Sequence, residues 1–180
     1  MYGMIHRAAR QMVMDQFGPD VWASVADAAE TSDEQFIGST IYDDTTTFQL
    51  VNAIARATDL STPAALEIFG EYWITFANSG GYRNIMKMAG STLPEFLGNL
   101  DRMHASIQVS LTGARLPTFE MTSASASEIH LVYRSQRTGL EPFVKGLMQG
   151  LLRQFHTNGQ VEIEPRNGAD VGVGVIIRLR

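Results

Sequence analysis

Three side chains that could bind an anion follow an alternating apolar run, residues 129–132. Such alternation is typical of a β-strand, and continuing it places Tyr133, Ser135 and Arg137 on one face. Their Cα atoms would span roughly 13 Å, and a long guanidinium side chain can fold back toward the phenol and the hydroxyl. The sequence therefore predicts a site for one or two carboxylates, with phosphate as an alternative.

His104 is the second candidate for a chemical role. It lies on an apolar stripe of a predicted helix from Leu93 to Leu111, four residues after Leu100 and three before Ile107. Burial disfavours protonation and leaves a neutral ring nitrogen that can bind a metal, although a hydrogen-bonded core histidine fits the same pattern. Zinc needs several ligands, and no second histidine or carboxylate is suitably spaced. Haem iron needs only one protein ligand, and haem carries two carboxylates.

Composition limits the classes of function. A chain of 180 residues, 44% of them apolar, can bury the core of one domain, and we expect residues 1–180 to form a single one. A net charge of -5 without a basic stripe argues against nucleic acid. The absence of cysteine excludes disulfides and thiolate metal sites. With no signal peptide and no apolar run of about 18 residues, we expect a cytoplasmic protein that does not bind membranes.

The elements that must position these residues change type at Pro117. Before it, apolar spacing predicts helices at Met4 to Gln16, Val21 to Ala29, Thr46 to Ala57, Thr62 to Asn78, Arg83 to Ala89 and Leu93 to Leu111. After it, strands are predicted at Thr118 to Thr122, Glu128 to Arg134, Val161 to Glu164 and Val171 to Leu179, with one helix at Glu141 to His156. Asp44, Ser61 and Ser91 or Thr92 are candidate helix N-caps. This order predicts an α+β domain with a mostly antiparallel sheet.

The motifs together resemble a known family. The tracts in question are, in order, MYG, FGPDVW, FGEYW, LPEFLGNLDRMH and YRSQRTGL, and they extend over nearly the whole chain. They resemble the haem nitric oxide/oxygen binding (H-NOX) domain of soluble guanylate cyclase and its bacterial relatives. The resemblance implies a haem b cofactor lying between the helical part and the sheet.

The resemblance also implies roles at matching positions. His104 matches the proximal iron ligand, and Tyr133, Ser135 and Arg137 match the triad that binds the haem propionates. Pro117 matches the proline that presses on the porphyrin and distorts it. As a rigid ring without an N–H group, Pro117 could lie against a haem face without leaving a donor unpaired.

Gas selectivity in this family depends on a hydrogen-bond donor near the bound gas. The resemblance places Phe143, which cannot donate, at the distal position, and Trp73 in the distal pocket, where its indole N–H could favour O₂. Leu100 is also expected to contact the cofactor. The implied function is a non-enzymatic sensor that binds NO and CO, excludes O₂, and signals by releasing its proximal histidine and relaxing the haem. A histidine kinase or a cyclic-di-GMP enzyme is the implied partner.

Alternatives to this interpretation remain. One is an O₂-binding haem sensor, and another is a haem-independent interaction module that binds a partner's carboxylate or phosphate. His6, His130 and His156 are candidate general bases, but none has a neighbour that would orient it, and we expect them to face solvent or to be structural. Asp43 and Asp44 match an acidic pair that could orient Arg137, and a helix N-cap role fits them equally well.

Overall fold

The computed structural model describes residues 1–31, 36–165 and 172–180. Its elements are, in chain order, α1 (Gly3–Gln16), α2 (Pro19–Ala28), α3 (Asp44–Ala57), α4 (Thr62–Ser79), α5 (Arg83–Ala89), α6 (Leu93–Gly98), α7 (Leu100–Ser110), β1 (Thr118–Ala124), β2 (Glu128–Arg134), α8 (Glu141–Gln154), β3 (Gly159–Pro165) and β4 (Val173–Leu179). The predicted α+β architecture is confirmed. Val171, the predicted start of the last strand, lies outside the described residues.

The predicted single helix over Leu93 to Leu111 is wrong, because Asn99 divides it into α6 and α7. Gly98 favours an ending at this point, since glycine has poor helix propensity. The Asn99 side chain donates to the carbonyl oxygen of Ala89 over 2.8 Å, which anchors the break to the end of α5. His104 therefore belongs to a short helix of 11 residues.

Side-chain caps fix the starts of three helices. Asp43 accepts from the amide of Thr45 at the start of α3, Ser61 caps α4, and Thr92 caps α6. The candidates Ser61 and Thr92 are thus confirmed, whereas the cap of α3 is Asp43 and not Asp44. This leaves the Asp44 carboxylate available for another partner.

The four strands form an antiparallel sheet in the order β1-β2-β4-β3. Ile129 and Leu131 of β2 lie on the covered face, together with Val144, Met148 and Leu151 of α8. A second apolar core joins α1, α2, α3 and α4. Trp73 of α4 packs against both cores, so this helix lies at the boundary between the helical part and the sheet.

Glycine allows α4 and α8 to pack closely. A Cβ atom at Gly146 would overlap the carbonyl oxygen of Glu67, and one at Gly70 would overlap the carbonyl oxygen of Phe143. Beside this contact, Lys145 pairs with Glu67 at 2.9 Å. The two helices therefore form a firmly packed pair at the boundary between the helical part and the sheet. No helix among the described residues is long and apolar enough to span a membrane.

Candidate functional site

A large pocket lies at the boundary between the helical part and the sheet. It encloses about 1450 Å³ of space between protein atoms, part of it open to solvent. All eight residues predicted to contact the cofactor or its metal line the pocket: Trp73, Leu100, His104, Pro117, Tyr133, Ser135, Arg137 and Phe143.

The three side chains predicted to bind an anion line the same pocket, but they do not lie on one strand. β2 ends at Arg134, so the prediction that Ser135 and Arg137 continue the strand is wrong. The Ser135 hydroxyl oxygen accepts from the Arg137 amide at 3.0 Å, which turns the chain after the strand. Burial raises the pKa of the Tyr133 phenol, which therefore remains a neutral donor. The turn after β2 thus brings together the side chains of Tyr133, Ser135 and Arg137, which a continued strand would have spread out.

Asp44 holds the Arg137 guanidinium in place. Its Oδ2 atom accepts from Arg137 Nε at 2.9 Å, and its Oδ1 atom accepts from the amino group of Met1 at 2.9 Å. Burial would raise the pKa of Asp44, but these hydrogen bonds and charges outweigh it and lower the pKa. Asp43 forms the helix cap instead, so the two aspartates divide the two roles considered for them.

The His104 ring is oriented by Pro117. The carbonyl oxygen of Pro117 lies 3.0 Å from His104 Nδ1, and a carbonyl can only accept, so Nδ1 carries the proton. Among the described residues, no protein group bonds Nε2 of this ring, which is the nitrogen left as a basic ligand. Burial lowers the pKa of His104, opposed by the bond to Pro117 and the charge of Asp101, and favours the neutral ring.

Asp101 is a site residue that the sequence reasoning missed. It lies three residues before His104 on α7, and its carboxylate accepts at 2.7 Å from the amide of Phe119, two residues after Pro117. The bonds made by Asp101 and His104 together attach α7 to the start of β1. Its place in the LDRMH tract was the only sequence signal, and spacing alone does not reveal a bond to a backbone amide.

The apolar wall contains aromatic residues from three helices. Phe143 of α8 lies 5.1 Å from Phe69 by ring centroids, and Trp73 of α4 stacks on Phe76 at 5.7 Å. Tyr82, at the start of α5, also lines the pocket and was not predicted. The indole N–H of Trp73 and the hydroxyl of Tyr82 have no hydrogen-bond partner within the described ranges. Two polar groups are therefore present in this wall.

His6 was expected to be a structural or solvent-facing residue, and it is completely buried. It packs 4.7 Å from the ring of Phe36 and lies 2.7 Å from the Thr47 hydroxyl by Nε2. Burial lowers the pKa of His6 to about 4, so the ring is neutral at pH 7. The other two histidines follow the expectation: His130 is partly exposed and pairs with Glu128, and His156 is on the surface.

The donor set of the pocket fits a metal-bearing amphiphile with carboxylates. One neutral imidazole nitrogen is available for a metal, apolar side chains surround it, and a guanidinium with two hydroxyl groups offers donors to anions. No group of three or more His, Cys, Asp or Glu side chains in the described ranges is arranged to hold a metal ion.

Comparison with known proteins is consistent with this chemistry. A family model described as Haem-NO-binding matches residues 2–164. Soluble guanylate cyclase gcy-35 of Caenorhabditis elegans is 30% identical over 160 residues, which cover 87% of this chain and 23% of that protein. Soluble guanylate cyclase 89Da of Drosophila melanogaster is 24% identical over 156 residues, with the same coverage. The chain thus spans about a quarter of the length of these relatives.

Solved structures share the fold. A mutant of an H-NOX protein from S. oneidensis, in the Fe(II) ligation state, has a TM-score of 0.87 and 21% identity, covering 100% of this chain and 96% of that one. An oxygen-binding H-NOX domain related to soluble guanylate cyclases, solved as its oxygen complex, has a TM-score of 0.82 and 20% identity, covering 100% and 94%. At these identities the likeness shows the fold.

Proposed function

The chain belongs to the haem-NO-binding family, a family of haem-based gas sensor domains, and we propose that it binds NO and CO at ferrous haem and excludes O₂. The observation that carries the proposal is the His104 ring, whose Nδ1 is held by Pro117 while the ring lines an apolar pocket. A single oriented imidazole suits haem iron, which needs one protein ligand.

The cofactor is proposed to be haem b, iron protoporphyrin IX, because the chain has no cysteine to attach a haem covalently. When bound, it supplies a ferrous iron that takes diatomic gases. In this proposal His104 binds the iron through Nε2, and Tyr133, Ser135 and Arg137 bind the propionates. Pro117 contacts the porphyrin face, and Leu100, which is 6% exposed, fills space beside it.

Exclusion of O₂ is proposed because Phe143 has no hydrogen-bond donor. Bound O₂ is polar and gains from a donor, whereas bound NO is much less polar. Phe143 is half-buried in the pocket wall against Phe69, so it presents only an apolar ring there.

O₂ binding is the second candidate, and a specific observation favours it. Trp73 and Tyr82 both line the pocket, and each carries a donor without a protein partner in the described part of the chain. If either group reaches a bound gas, O₂ gains a hydrogen bond. Exclusion of O₂ requires that neither the Trp73 indole nor the Tyr82 hydroxyl reaches the bound gas.

Signalling is proposed to pass through α7. In this proposal His104 would hold the iron, and loss of that contact on NO binding would remove one attachment of α7 to the pocket. Leu100 is the buried residue of this helix, and the Asp101 bond to Phe119 persists at its start. We therefore infer movement of the free end of α7 against the sheet. The receiver is proposed to be a histidine kinase or a cyclic-di-GMP enzyme.

Absorption spectra of the purified chain test the function directly. Ferrous, ferrous-CO, ferrous-NO and air-exposed samples should show a Soret band that shifts with CO and NO but not with air. A stable oxygenated spectrum in air would overturn O₂ exclusion, and Tyr82→Phe and Trp73→Phe would then identify the donor. Absence of a Soret band after expression with supplied haem would favour the haem-independent interaction module.

A further inference from the structure

The loop between α7 and β1 bounds one end of the pocket. It covers residues 111–117, of which Leu111 and Gly113 line the pocket. From the opposite side the pocket is lined by Tyr2, which precedes α1, and by Ile41, which precedes α3. This end of the pocket is therefore bounded by two segments from different parts of the fold, the helical part and the connection from α7 to the sheet.

The tip of this loop is tied to the helical part by a side-chain hydrogen bond. The Tyr2 hydroxyl donates to the carbonyl oxygen of Thr112 at 2.8 Å, and this bond, the Tyr2 latch, is exposed to solvent. Beside it lies Gly113, where a Cβ atom would be 3.2 Å from Ile41 Cδ1. Because Ile41 is 53% exposed, this second contact buries little apolar surface. An exposed hydrogen bond and a small apolar contact thus hold the loop tip in place.

The remainder of the loop is held more firmly, and from its own side of the pocket. Gln108 of α7 donates to the carbonyl oxygen of Ala114 at 2.9 Å, and Ala114 is 4% exposed. Arg137 donates to the carbonyl oxygen of Arg115 at 2.8 Å. Gly113, whose φ is +90°, separates this fixed part from the tip, and glycine tolerates large changes of backbone angle. The tip can therefore swing while the fixed part stays.

The other boundaries of the pocket are harder to open. α4 and α8 meet in close backbone contact at Gly70 and Gly146, β1 is paired with β2, and two hydrogen bonds attach α7 to β1. The ion pair of Asp44 with Arg137 joins the helical part to the turn after β2 and is not broken when the loop tip moves. A segment held by few exposed contacts opens at the lowest free energy, and here that segment is the loop tip.

We propose that the loop tip at Thr112 and Gly113 is the gate through which the large ligand of this pocket enters and leaves, and that the Tyr2 latch holds it shut. This inference rests on the proposed function for the identity of the ligand, which is haem. Tyr2 is a positioning residue, because its hydroxyl is bonded to the protein. Loss of the latch lowers the barrier to entry and to exit alike, so both rates rise by the same factor and the affinity stays constant. Loss of a residue that binds the ligand would instead raise the exit rate and weaken the affinity.

The test compares the rate of haem loss with the equilibrium partition of haem in the full chain. Tyr2→Phe keeps the ring and removes the hydroxyl, and should accelerate haem transfer to excess apomyoglobin roughly two- to tenfold, as expected for one hydrogen bond. The partition of haem between the chain and serum albumin, in the ratio that leaves haem on both proteins, should not change. Tyr72→Phe is the matched control, because its hydroxyl bonds Asp15 and neither residue is among the described residues that line the pocket. It should alter neither quantity.

Carbon monoxide separates opening of the gate from a general loosening of the pocket. CO is small enough to leave without movement of the loop tip, so its rate of dissociation from ferrous haem should be equal in Tyr2→Phe and the parent. The inference is overturned if Tyr2→Phe loses haem at the parent's rate, if its affinity falls by the factor by which haem loss rises, or if CO dissociation also accelerates. Any of these results in a chain with a Soret band leaves the haem function standing. A chain that takes up no haem overturns both.

Discussion

The carbonyl oxygen of Pro117 accepts a hydrogen bond from His104 Nδ1 at 3.0 Å, and this bond fixes the tautomer and orients the imidazole ring. The same segment contacts α7 again through the amide of Phe119, which donates to Asp101 at 2.7 Å. The residue proposed to press on the haem and the residue proposed to bind its iron are therefore directly linked by this hydrogen bond. Movement of either one is transmitted to the start of β1.

His104→Gly should abolish protein ligation of the iron while preserving the pocket. The variant should bind haem without the five-coordinate ferrous spectrum of the parent, and added imidazole should restore that spectrum by occupying the space of the lost ring. His156→Gly, a change on the surface, serves as the control and should leave the spectrum unaltered. An identical ferrous spectrum in His104→Gly and the parent would contradict the ligand assignment, whereas the NO spectra should coincide because the proposed NO form has released His104.

Asp101→Ala should loosen α7 from β1. The Phe119 amide loses a charged acceptor, and since the bond is only partly buried we expect a loss of about 1–2 kcal/mol in the free energy of unfolding. Urea unfolding measures this loss, and Asp27→Ala, at the exposed end of α2, is the control. Equal stability of the two variants would show that the bond contributes nothing.

Substitution of Asp43 and substitution of Asp44 by alanine should give two different phenotypes. Asp44→Ala removes a partner of Arg137, so haem loss should accelerate roughly two- to tenfold, as expected when one ion pair of up to about 1.4 kcal/mol is lost. Asp43→Ala removes the cap of α3 and should lower the midpoint of thermal unfolding with little change in haem loss. The reverse assignment of phenotypes would contradict the structure.

Local patterns predicted the parts of the site that depend on residue type and spacing. His104 and the cluster around Arg137 were found this way, since an apolar stripe and a donor row are visible in a single segment. The break at Asn99 was not, because the apolar stripe continues across it and its cause is a bond to Ala89, ten residues away. The pairing of Asp44 with Arg137 joins positions 93 residues apart, and the sequence suggested it only through resemblance.

Burial of individual polar residues was equally hard to predict. His6 sits on α1 among residues of mixed polarity, and its burial depends on Phe36 and Thr47 from other segments. Arg115 was passed over because nothing in its own tract marks it as part of the pocket. Both became visible only when tertiary neighbours were known.

His6 should make stability depend on pH. Its pKa is lowered to about 4 by burial, and the unfolded chain binds a proton near the ordinary value of 6.5, so protonation favours unfolding. Stability is full above about pH 6.5, and about 2–3 kcal/mol is lost as pH falls to about 4. The free energy of unfolding, measured with urea at several pH values across this range, should depend less steeply on pH in His6→Gln than in the parent. His156→Gln should keep the parent slope, and an unchanged slope in His6→Gln would contradict the role of His6.

Gly146→Ala should disrupt the packing of α4 against α8. The added Cβ would overlap the carbonyl oxygen of Glu67, and both partners are helix backbone, so neither can move aside without separating the helices. We expect a loss of roughly 1–3 kcal/mol or more in the free energy of unfolding, as for overpacked cores. Gly81→Ala, where a Cβ meets nothing within 4 Å, should change stability little. Because Trp73 of α4 and Phe143 of α8 both line the pocket, the Gly146 variant should also shift the CO-bound spectrum, whereas the Gly81 variant should not. Equal stability and equal spectra in the two variants would show that this close contact does not hold the apolar wall in place.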